Sequence, residues 1–117
     1  MGVRMIVPAE ARYVRAVRLV AASLAADAGF DVDEVDDVRV AVDELCALFS
    51  PLDSSAAIEL DFTAVDGELR VAGRYQGEGD VLAADWLVTE ILTATSDEVV
   101  LPSAASPEFH YLRCRAG

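Results

Sequence analysis

The clearest structural signal in the chain is the segment Ile58-Glu-Leu-Asp-Phe-Thr-Ala-Val-Asp-Gly-Glu-Leu-Arg-Val-Ala-Gly-Arg-Tyr75. Polar and apolar residues alternate on both sides of Asp66-Gly67, a dipeptide typical of a two-residue β-turn. Such a turn fixes the register, and apolar side chains then meet on one face while opposite charges meet on the other. The predicted pairs are Val65–Glu68, Phe62–Val71, Leu60–Gly73, Glu59–Arg74 and Ile58–Tyr75. The segment is therefore predicted to form an antiparallel hairpin with one buried face.

Two amphipathic helices are predicted before the hairpin. Apolar residues follow helical spacing over residues 9–28, and Gly29 stands where a left-handed C-cap is expected. The second helix is expected to begin at Asp31 or Asp33, either of which can cap it, and to end at Pro51. The expected core positions are Val14, Val17, Val20, Ala21, Leu24 and Ala28 on the first helix, and Val35, Val38, Ala41, Val42, Leu45 and Phe49 on the second.

The remaining predicted elements are a strand at residues 3–7, a third helix at 83–94 and two final strands at 98–101 and 108–114. The order β-α-α-β-β-α-β-β, with antiparallel strands and helices on one face, predicts a two-layer α/β sandwich. A chain of 117 residues is expected to form one domain, residues 1–117.

Two aromatic residues, Trp86 and Tyr75, have two interpretations. Large aromatic side chains dominate both cores and protein interfaces, so each is either a core residue or an interface anchor, and the core is the preferred interpretation. On the third helix Trp86, Leu87 and Ile91 are expected to point inward, with Val88 as a further candidate.

The charge of the chain restricts its partners. It carries 21 acidic residues against nine basic ones, all arginine, for a net charge of −12. This field repels phosphate backbones, so no direct contact with nucleic acid is expected, and it favours a basic protein partner. No apolar run approaches the roughly 18 residues of a membrane helix, and the N-terminal segment does not resemble a signal peptide. The chain is expected to be cytoplasmic, with no membrane partner.

Cysteine and histidine usage argues against a metal centre. Cys46 and Cys114 lie far apart without metal-type spacing, and are expected to be small buried hydrophobes in a reducing compartment. His110 is the only histidine, so neither a histidine-based metal site nor a catalytic triad can be assembled. No metal is expected.

A family resemblance lies in the second helix. The segment Val35-Asp-Asp-Val-Arg-Val-Ala-Val-Asp-Glu-Leu-Cys46 resembles the nucleotide-site helix of GHKL (histidine kinase-like) ATPases, in the branch of anti-sigma-factor serine kinases. Arg18-Leu-Val-Ala-Ala-Ser-Leu24 is similar to the first helix of that branch, and Asp97-Glu-Val-Val100 to its late helix-to-strand step. With the element order, the resemblance covers nearly the whole chain and implies a sandwich of histidine kinase-like ATPase type.

The resemblance also implies a damaged catalytic site. In the family, a glutamate on the second helix is the general base and an asparagine four residues later holds Mg²⁺. The matching positions here are Glu44 and Leu48, and an alkyl group cannot ligate a hard cation that requires oxygen. Glu44 is therefore either a live general base or a vestigial carboxylate at the helix edge, and the second interpretation is preferred.

The family's adenine and phosphate motifs are altered in the same way. They comprise an aspartate at a strand end, followed by Gly-x-Gly and a long glycine-rich lid. Here the match is Tyr75-Gln-Gly-Glu-Gly79: Gly77 and Gly79 are kept, and a tyrosine that is expected to fill the adenine pocket replaces the aspartate. Only residues 80–83 remain of the lid. The resemblance thus implies one degenerate domain with no cofactor, neither ATP nor magnesium.

The first helix carries the candidate partner contacts. Arg12, Arg15 and Arg18 recur every three residues along one flank. They either pair with acidic residues of the second helix or face the carboxylates of a partner, and both interpretations stay open. In the family a first-helix arginine contacts the partner, and Arg18 occupies the matching position.

The resulting functional hypothesis is an anti-sigma-type regulator of transcription. It is expected to bind a sigma factor, an anti-anti-sigma protein or both, without hydrolysing ATP. One alternative is an active Mg-ATP-dependent serine/threonine protein kinase of the same family, and another is a dimerisation or scaffold domain. A homodimer stays open.

Overall fold

The chain folds into a sandwich of helices on an antiparallel sheet. In the computed structural model residues 2–51 and 55–116 are described. Met1, residues 52–54 and Gly117, which the single-domain prediction also includes, lie outside the described residues. The elements in chain order are β1 (Gly2–Pro8), α1 (Ala11–Asp27), α2 (Val32–Cys46), β2 (Phe49–Pro51), β3 (Ala57–Val65), β4 (Glu68–Gln76), β5 (Gly79–Val81), α3 (Trp86–Ala94), β6 (Glu98–Val100) and β7 (Glu108–Cys114).

Five strands form the main sheet, in the order β1-β3-β4-β7-β6, and all neighbours are antiparallel. Side chains alternate along β3 and β4 between a buried and a more exposed face. The buried face joins the apolar stripes of α1 and α2 in one core, because each of these surfaces alone would stay exposed to water. The predicted two-layer α/β sandwich is confirmed. None of the helices in the described part of the chain has both the length and the apolarity needed to cross a membrane.

The hairpin of β3 and β4 has the predicted register at every predicted pair, from Val65–Glu68 to Ile58–Tyr75. Gly67 adopts φ +76°, the left-handed conformation that this turn requires. Farther along β4, the ring of Phe109 lies over Gly73, where a Cβ atom would collide with it. The hairpin therefore occupies the centre of the sheet, and β7 packs closely beside it.

Charged side chains on the outer face of the hairpin contact residues other than the ones paired with them in the β3–β4 ladder. Glu59 and Arg74 are paired residues in the ladder, as predicted. Arg74, however, lies 3.4 Å from Glu108 of β7, and Glu59 accepts a 2.6 Å hydrogen bond from Gln76. The outer face thus carries polar contacts between β3 and β4 and between β4 and β7.

The corner between α1 and α2 follows the predicted capping pattern. Gly29 has φ +91°, as expected of a residue that ends a helix. Asp31 is the N-cap of α2: its side chain accepts the Glu34 amide at 2.8 Å, and the Glu34 carboxylate accepts the Asp31 amide at 3.0 Å. This reciprocal capping box satisfies two amides that the first helical turn leaves free.

The C-terminal strap, residues 113–116, ties this corner to the hairpin turn. The Ala116 amide donates a 2.6 Å hydrogen bond to the second carboxylate oxygen of Glu34. The Arg115 amide donates to the Gly67 carbonyl at 2.9 Å, and the Gly67 amide donates to the Ala28 carbonyl at 2.8 Å. Glu34 is buried, so its charge is held by backbone amides from two distant parts of the chain.

Stability should therefore depend on pH through Glu34. Hydrogen bonds from the Asp31 amide, and then from the Ala116 amide, lower the pKa of this carboxyl group in the folded protein. A lowered folded pKa stabilises the protein above the ordinary glutamate pKa of about 4.3, and this contribution is lost as pH falls through the lowered folded value. We expect Glu34→Gln to reduce the free energy of unfolding at neutral pH and to match wild type in strong acid, in urea titrations across pH. Glu98→Gln, at an exposed carboxylate, supplies the baseline, and an equal deficit at every pH would contradict this linkage.

The predicted end of α2 is wrong, because a short strand follows the helix. The helix ends at Cys46 with Ala47 as its C-cap, so Phe49 lies outside it, and Pro51 ends a strand. Phe49 pairs with Val81 in the ladder of β2 and β5, which form a separate two-stranded sheet. The Phe49 side chain is still buried, but it packs against aromatic rings of β4 and β7.

The inward face of α3 also differs from the prediction. Trp86 and Leu87 are exposed, Val88 and Ile91 are half-buried, and the fully buried residue is Leu92. The helix begins at Trp86, three residues later than expected, and Asp85 caps it by accepting the Val88 amide at 2.8 Å. The core interpretation of Trp86 is therefore wrong.

The cysteines differ from each other. Cys46 is buried, and burial, with a smaller contribution from Asp43, raises the pKa of its thiol to about 12, so it stays protonated. Cys114 is exposed, contrary to prediction, because Tyr111 and Phe109 face the core and strand alternation turns Cys114 to the other side of β7.

Candidate functional site

The end of α2 holds the first two candidate residues. Glu44 lies in the last turn of α2 and is half-buried. Leu48 follows the helix end and is buried, and its carbonyl accepts a 2.7 Å hydrogen bond from the Leu82 amide. The segment that leads to α3 is therefore anchored on the end of α2.

Tyr75 belongs to an aromatic cluster with Phe49 and Phe109. The Tyr75 ring is 7% exposed and stacks on Phe49, with centroids 5.3 Å apart, and Phe49 lies 6.0 Å from Phe109. The Tyr75 hydroxyl donates a 2.7 Å hydrogen bond to the Glu78 carbonyl. The phenol is therefore held at both its ring and its hydroxyl, and it contributes to the core as preferred from the sequence.

The two glycines of the Gly-x-Gly segment serve the local backbone. Gly77 has φ +119°, and a Cβ atom there would lie 2.8 Å from Cα of Ala56. Gly79 begins β5 and pairs with Pro51 of β2. Both glycines therefore have a structural reason to be present that involves no phosphate.

The chemistry of this region is acidic and apolar. Glu78, Asp80 and Asp85 stand along the connection from β4 to α3. Within residues 2–51 and 55–116, no group of three or more His, Cys, Asp or Glu side chains is arranged to hold a metal ion.

The three arginines predicted to form a stripe on α1 differ in their contacts, and each of the two interpretations fits some of them. Arg18 lies 3.8 Å from Asp43 of α2, a long contact between partly exposed side chains. Arg12 instead pairs with Glu10 at 3.0 Å and covers the Tyr13 ring at 4.9 Å. Arg15 is exposed and forms no ion pair with any residue that the structure describes. Only Arg18 therefore meets an acidic residue of α2.

Arg18 also lines an open groove between α1 and α2. The groove has a volume of about 380 Å³, and its other walls include Asp43, Arg39 and Val40. Leu19 on α1 and Val40 on α2 are exposed although both are apolar. The sequence analysis did not identify Leu19 and Val40 as candidate binding residues. The signal that could have found them is an apolar residue that lies outside the core stripe of its helix.

The family model of the histidine kinase-like ATPase domain matches residues 7–84, two thirds of the chain. The chain belongs to this family. It is similar to the serine-protein kinase RsbW of Bacillus cereus (strain B4264), with 29% identity over 84 residues, which are 71% of this chain and 48% of that protein. RsbW of Bacillus thuringiensis (strain Al Hakam) is 27% identical over the same shares. The chain thus spans about half the length of these relatives. The predicted histidine kinase-like ATPase family is confirmed, and both of these relatives are named serine-protein kinases.

The family match contains most of the candidate site of this histidine kinase-like ATPase domain. It runs from the end of β1 to the connection before α3, and so includes Glu44, Leu48, Tyr75 and both glycines. Helix α3 and strands β6 and β7 lie outside the match. Phe49 lies within the family match. The sequence analysis wrongly placed it on α2, because nothing in the sequence shows that Phe49 contacts Tyr75.

Proposed function

We propose that this histidine kinase-like ATPase domain is an anti-sigma-type regulator that acts in the cytoplasm by binding proteins and does not hydrolyse ATP. Its partner is a sigma factor, an anti-anti-sigma protein or both. The observation that carries the proposal is the buried stack of Tyr75 on Phe49, which occupies the position where the family resemblance places the adenine site.

The residues at the family's nucleotide positions do not fit Mg-ATP. Leu48 offers no oxygen ligand and its side chain is buried. The Tyr75 hydroxyl is engaged with the Glu78 carbonyl, so opening space for a base requires breaking this hydrogen bond and the stack on Phe49. Each loss alone weakens nucleotide binding, and together they remove the metal ligand and the base site.

The connection from β4 to α3 also lacks the properties of a phosphate loop. A phosphate cradle needs several free backbone amides that converge on one point. Here the Leu82 amide is bonded to Leu48, and residues 79–81 are paired with β2. The carboxylates of Glu78, Asp80 and Asp85 add negative charge where phosphates would bind.

The surface of α1 supports protein binding. Arg18 and Val40 bring a guanidinium group and an exposed apolar side chain to the same open groove, and Leu19, next to Arg18 in the chain, is a further exposed apolar residue of α1. Guanidinium groups pair well with the carboxylates of a partner, and exposed apolar residues add buried area on association. A protein partner therefore fits this surface better than a nucleic acid, which the net charge of −12 repels.

Calorimetry with Mg-ATP and Mg-ADP is the direct test of the nucleotide claim. We expect no heat of binding at nucleotide concentrations of about 1 mM, where a site with micromolar affinity would be saturated. The serine-protein kinase RsbW of Bacillus cereus, titrated under the same conditions, serves as the comparison. A dissociation constant in the micromolar range for this chain would refute the proposal that it works without nucleotide.

An active serine kinase is the second candidate, and the observation in its favour is that Glu44 is kept and remains partly accessible. Incubation with labelled Mg-ATP and a candidate antagonist protein separates the two functions. Phosphate transfer that Glu44→Gln abolishes would establish the kinase, whereas no transfer is expected from a binding protein.

A further inference from the structure

Lysine and arginine are absent from one continuous section of the chain. All nine arginines lie at or before Arg74 or at or after Arg113, and the section between them has no lysine or arginine. Helix α3 lies in the middle of this section. The acidic residues of the section are Glu78, Asp80, Asp85, Glu90, Asp97, Glu98 and Glu108.

The carboxylates around α3 have no cationic partner among the described residues, whereas several carboxylates on the sheet and on α2 do. On the sheet, Asp61 lies 2.9 Å from Arg4, and on α2, Asp37 lies 3.2 Å from Arg113. The carboxylates at positions 78, 80, 85 and 90, by contrast, form no ion pair with any of the described residues. Their charges are therefore available to cations from outside the chain.

The same region exposes large apolar side chains. Leu82 is 49% exposed, Trp86 is 77% exposed and Leu87 is 54% exposed. Leu92 and the half-buried residues of α3 face the core, so Trp86 and Leu87 project from the opposite side together with Glu90, which is one turn farther along. We call Asp85, Trp86, Leu87 and Glu90 the α3 surface. Neighbouring exposed apolar residues with a polar rim mark interaction sites, and tryptophan is a frequent anchor in them.

We propose that the α3 surface binds a basic amphipathic helix of another protein. An apolar stripe on such a helix would cover Trp86 and Leu87, and its arginine or lysine side chains would pair with Glu90 and Asp85. A helix whose apolar stripe fits an apolar surface while its charged flanks meet the rim is a recurrent mode of recognition.

Charge excludes the other classes of occupant. Anionic lipid surfaces and nucleic acids carry the same sign as the α3 surface and are repelled by it. A second copy of the chain, docked through the same surface, would place unpaired carboxylates against each other. A cationic, partly apolar protein segment alone complements both the charge and the exposed tryptophan.

This contact is separate from the proposed regulator surface on α1. The α3 surface is acidic, whereas Arg12, Arg15 and Arg18 offer positive charge, so the two surfaces select partner segments of opposite charge. Helix α3 also lies beyond residue 84, where the family match ends. The α3 surface thus supplies a second binding function that does not depend on the fate of the nucleotide site.

Trp86 is the only tryptophan and provides the measurement. The probe is a synthetic helical peptide of about five turns with leucine on one face and arginine on the other, and the control peptide carries glutamate in place of arginine. We expect the arginine peptide to shift Trp86 emission to shorter wavelength, to protect it from acrylamide quenching and to bind more weakly as salt is raised. We expect none of this from the glutamate peptide.

A matched pair of double variants localises the binding. Leu87→Ala with Glu90→Gln changes the α3 surface, and Val65→Ala with Glu98→Gln makes similar chemical changes at exposed positions outside both proposed surfaces. We expect the first variant to bind the arginine peptide at least about tenfold more weakly, and the second to bind like wild type. Arg18→Glu should also bind the peptide like wild type, which separates this test from that of the α1 surface.

Several results would overturn the proposal. Equal weakening in both double variants would show that net charge alone attracts the peptide. Heat of binding without a change in Trp86 emission would place the peptide on another surface. Sedimentation that shows self-association of the wild type, lost in the Leu87→Ala, Glu90→Gln variant, would assign the α3 surface to a second copy, and binding to anionic vesicles through it would assign it to a membrane.

Discussion

Reversal of one charge on α1, Arg18→Glu, is expected to abolish partner capture while leaving the fold intact. Arg18 lies 3.8 Å from Asp43 in a partly exposed pair, and such pairs contribute about 0–1 kcal/mol to stability. The melting temperature should therefore stay within about 5 °C of wild type. If Arg18 contacts carboxylates of a partner, the new glutamate would face those carboxylates across the interface. Like charges placed there cost several kcal/mol of affinity.

The measurement is a pull-down from native lysate with the captured protein identified by mass spectrometry, alongside a thermal melt. Arg70→Glu is the matched control, because it makes the same charge reversal at an exposed arginine on the sheet. If Arg18→Glu keeps both its partner and its melting temperature, the α1 surface is not the binding surface. If Arg70→Glu loses the partner equally, the effect belongs to net charge.

Tyr75→Asp is expected to cause the largest loss of stability among the single changes considered. It removes a buried ring from its stack on Phe49 and places a carboxylate beside the apolar aromatic cluster. Truncation of a buried aromatic residue costs about 3–5 kcal/mol, and an unpaired charge adds to that cost. Tyr75→Phe keeps the ring and removes the hydroxyl that donates to the Glu78 carbonyl, so it should cost about 1 kcal/mol. Urea unfolding of the two variants measures the difference, and equal values would show that the ring contributes little.

The double variant Leu48→Asn, Tyr75→Asp tests whether two side chains alone account for the proposed loss of nucleotide binding. It restores the family's residues at both positions and leaves the connection to α3 short and acidic. We expect little or no heat with Mg-ATP, measured at a temperature where the variant is still folded. Robust binding of Mg-ATP would show that the short lid does not prevent nucleotide binding, contrary to the proposal.

The elements with strong local signals could be predicted from the sequence. The hairpin is correct in type and register because the alternation and the Asp66-Gly67 turn specify the same pairs. The α1–α2 corner is correct because Gly29 and Asp31 each have a local backbone role. In both cases the residues that determine the structure lie within a few positions of the feature they determine.

The elements that depend on distant contacts could not be predicted. Strands β2 and β5 have three residues each, too few to show a period, and exist because they pair with each other. The face of α3 was wrong because Leu87, Val88, Ile91 and Leu92 are all apolar, so the pattern does not fix which side is buried. The C-terminal strap joins Ala116 to Glu34, a contact that no local pattern indicates.

The candidate site shows the same division between local and distant information. The positions of Leu48 and Tyr75 follow from the family resemblance, and the family is confirmed. The stack on Phe49 does not follow from it, because this contact depends on where α2 ends and on the β2–β5 ladder.

The central position of the β3–β4 hairpin has a consequence for the order of folding. Only two residues separate Val65 from Glu68, so closing this loop costs less chain entropy than any pairing between distant segments. Pairing of β1 with β3, or of β4 with β7, requires long loops to close around the hairpin. The two strands that pair at the least entropic cost, β3 and β4, are thus the ones to which β1 adds on one side and β7 on the other. We expect nucleation in the segment that becomes the middle of the finished sheet, and we expect β1, whose pairing with β3 closes the longest of these loops, to join late.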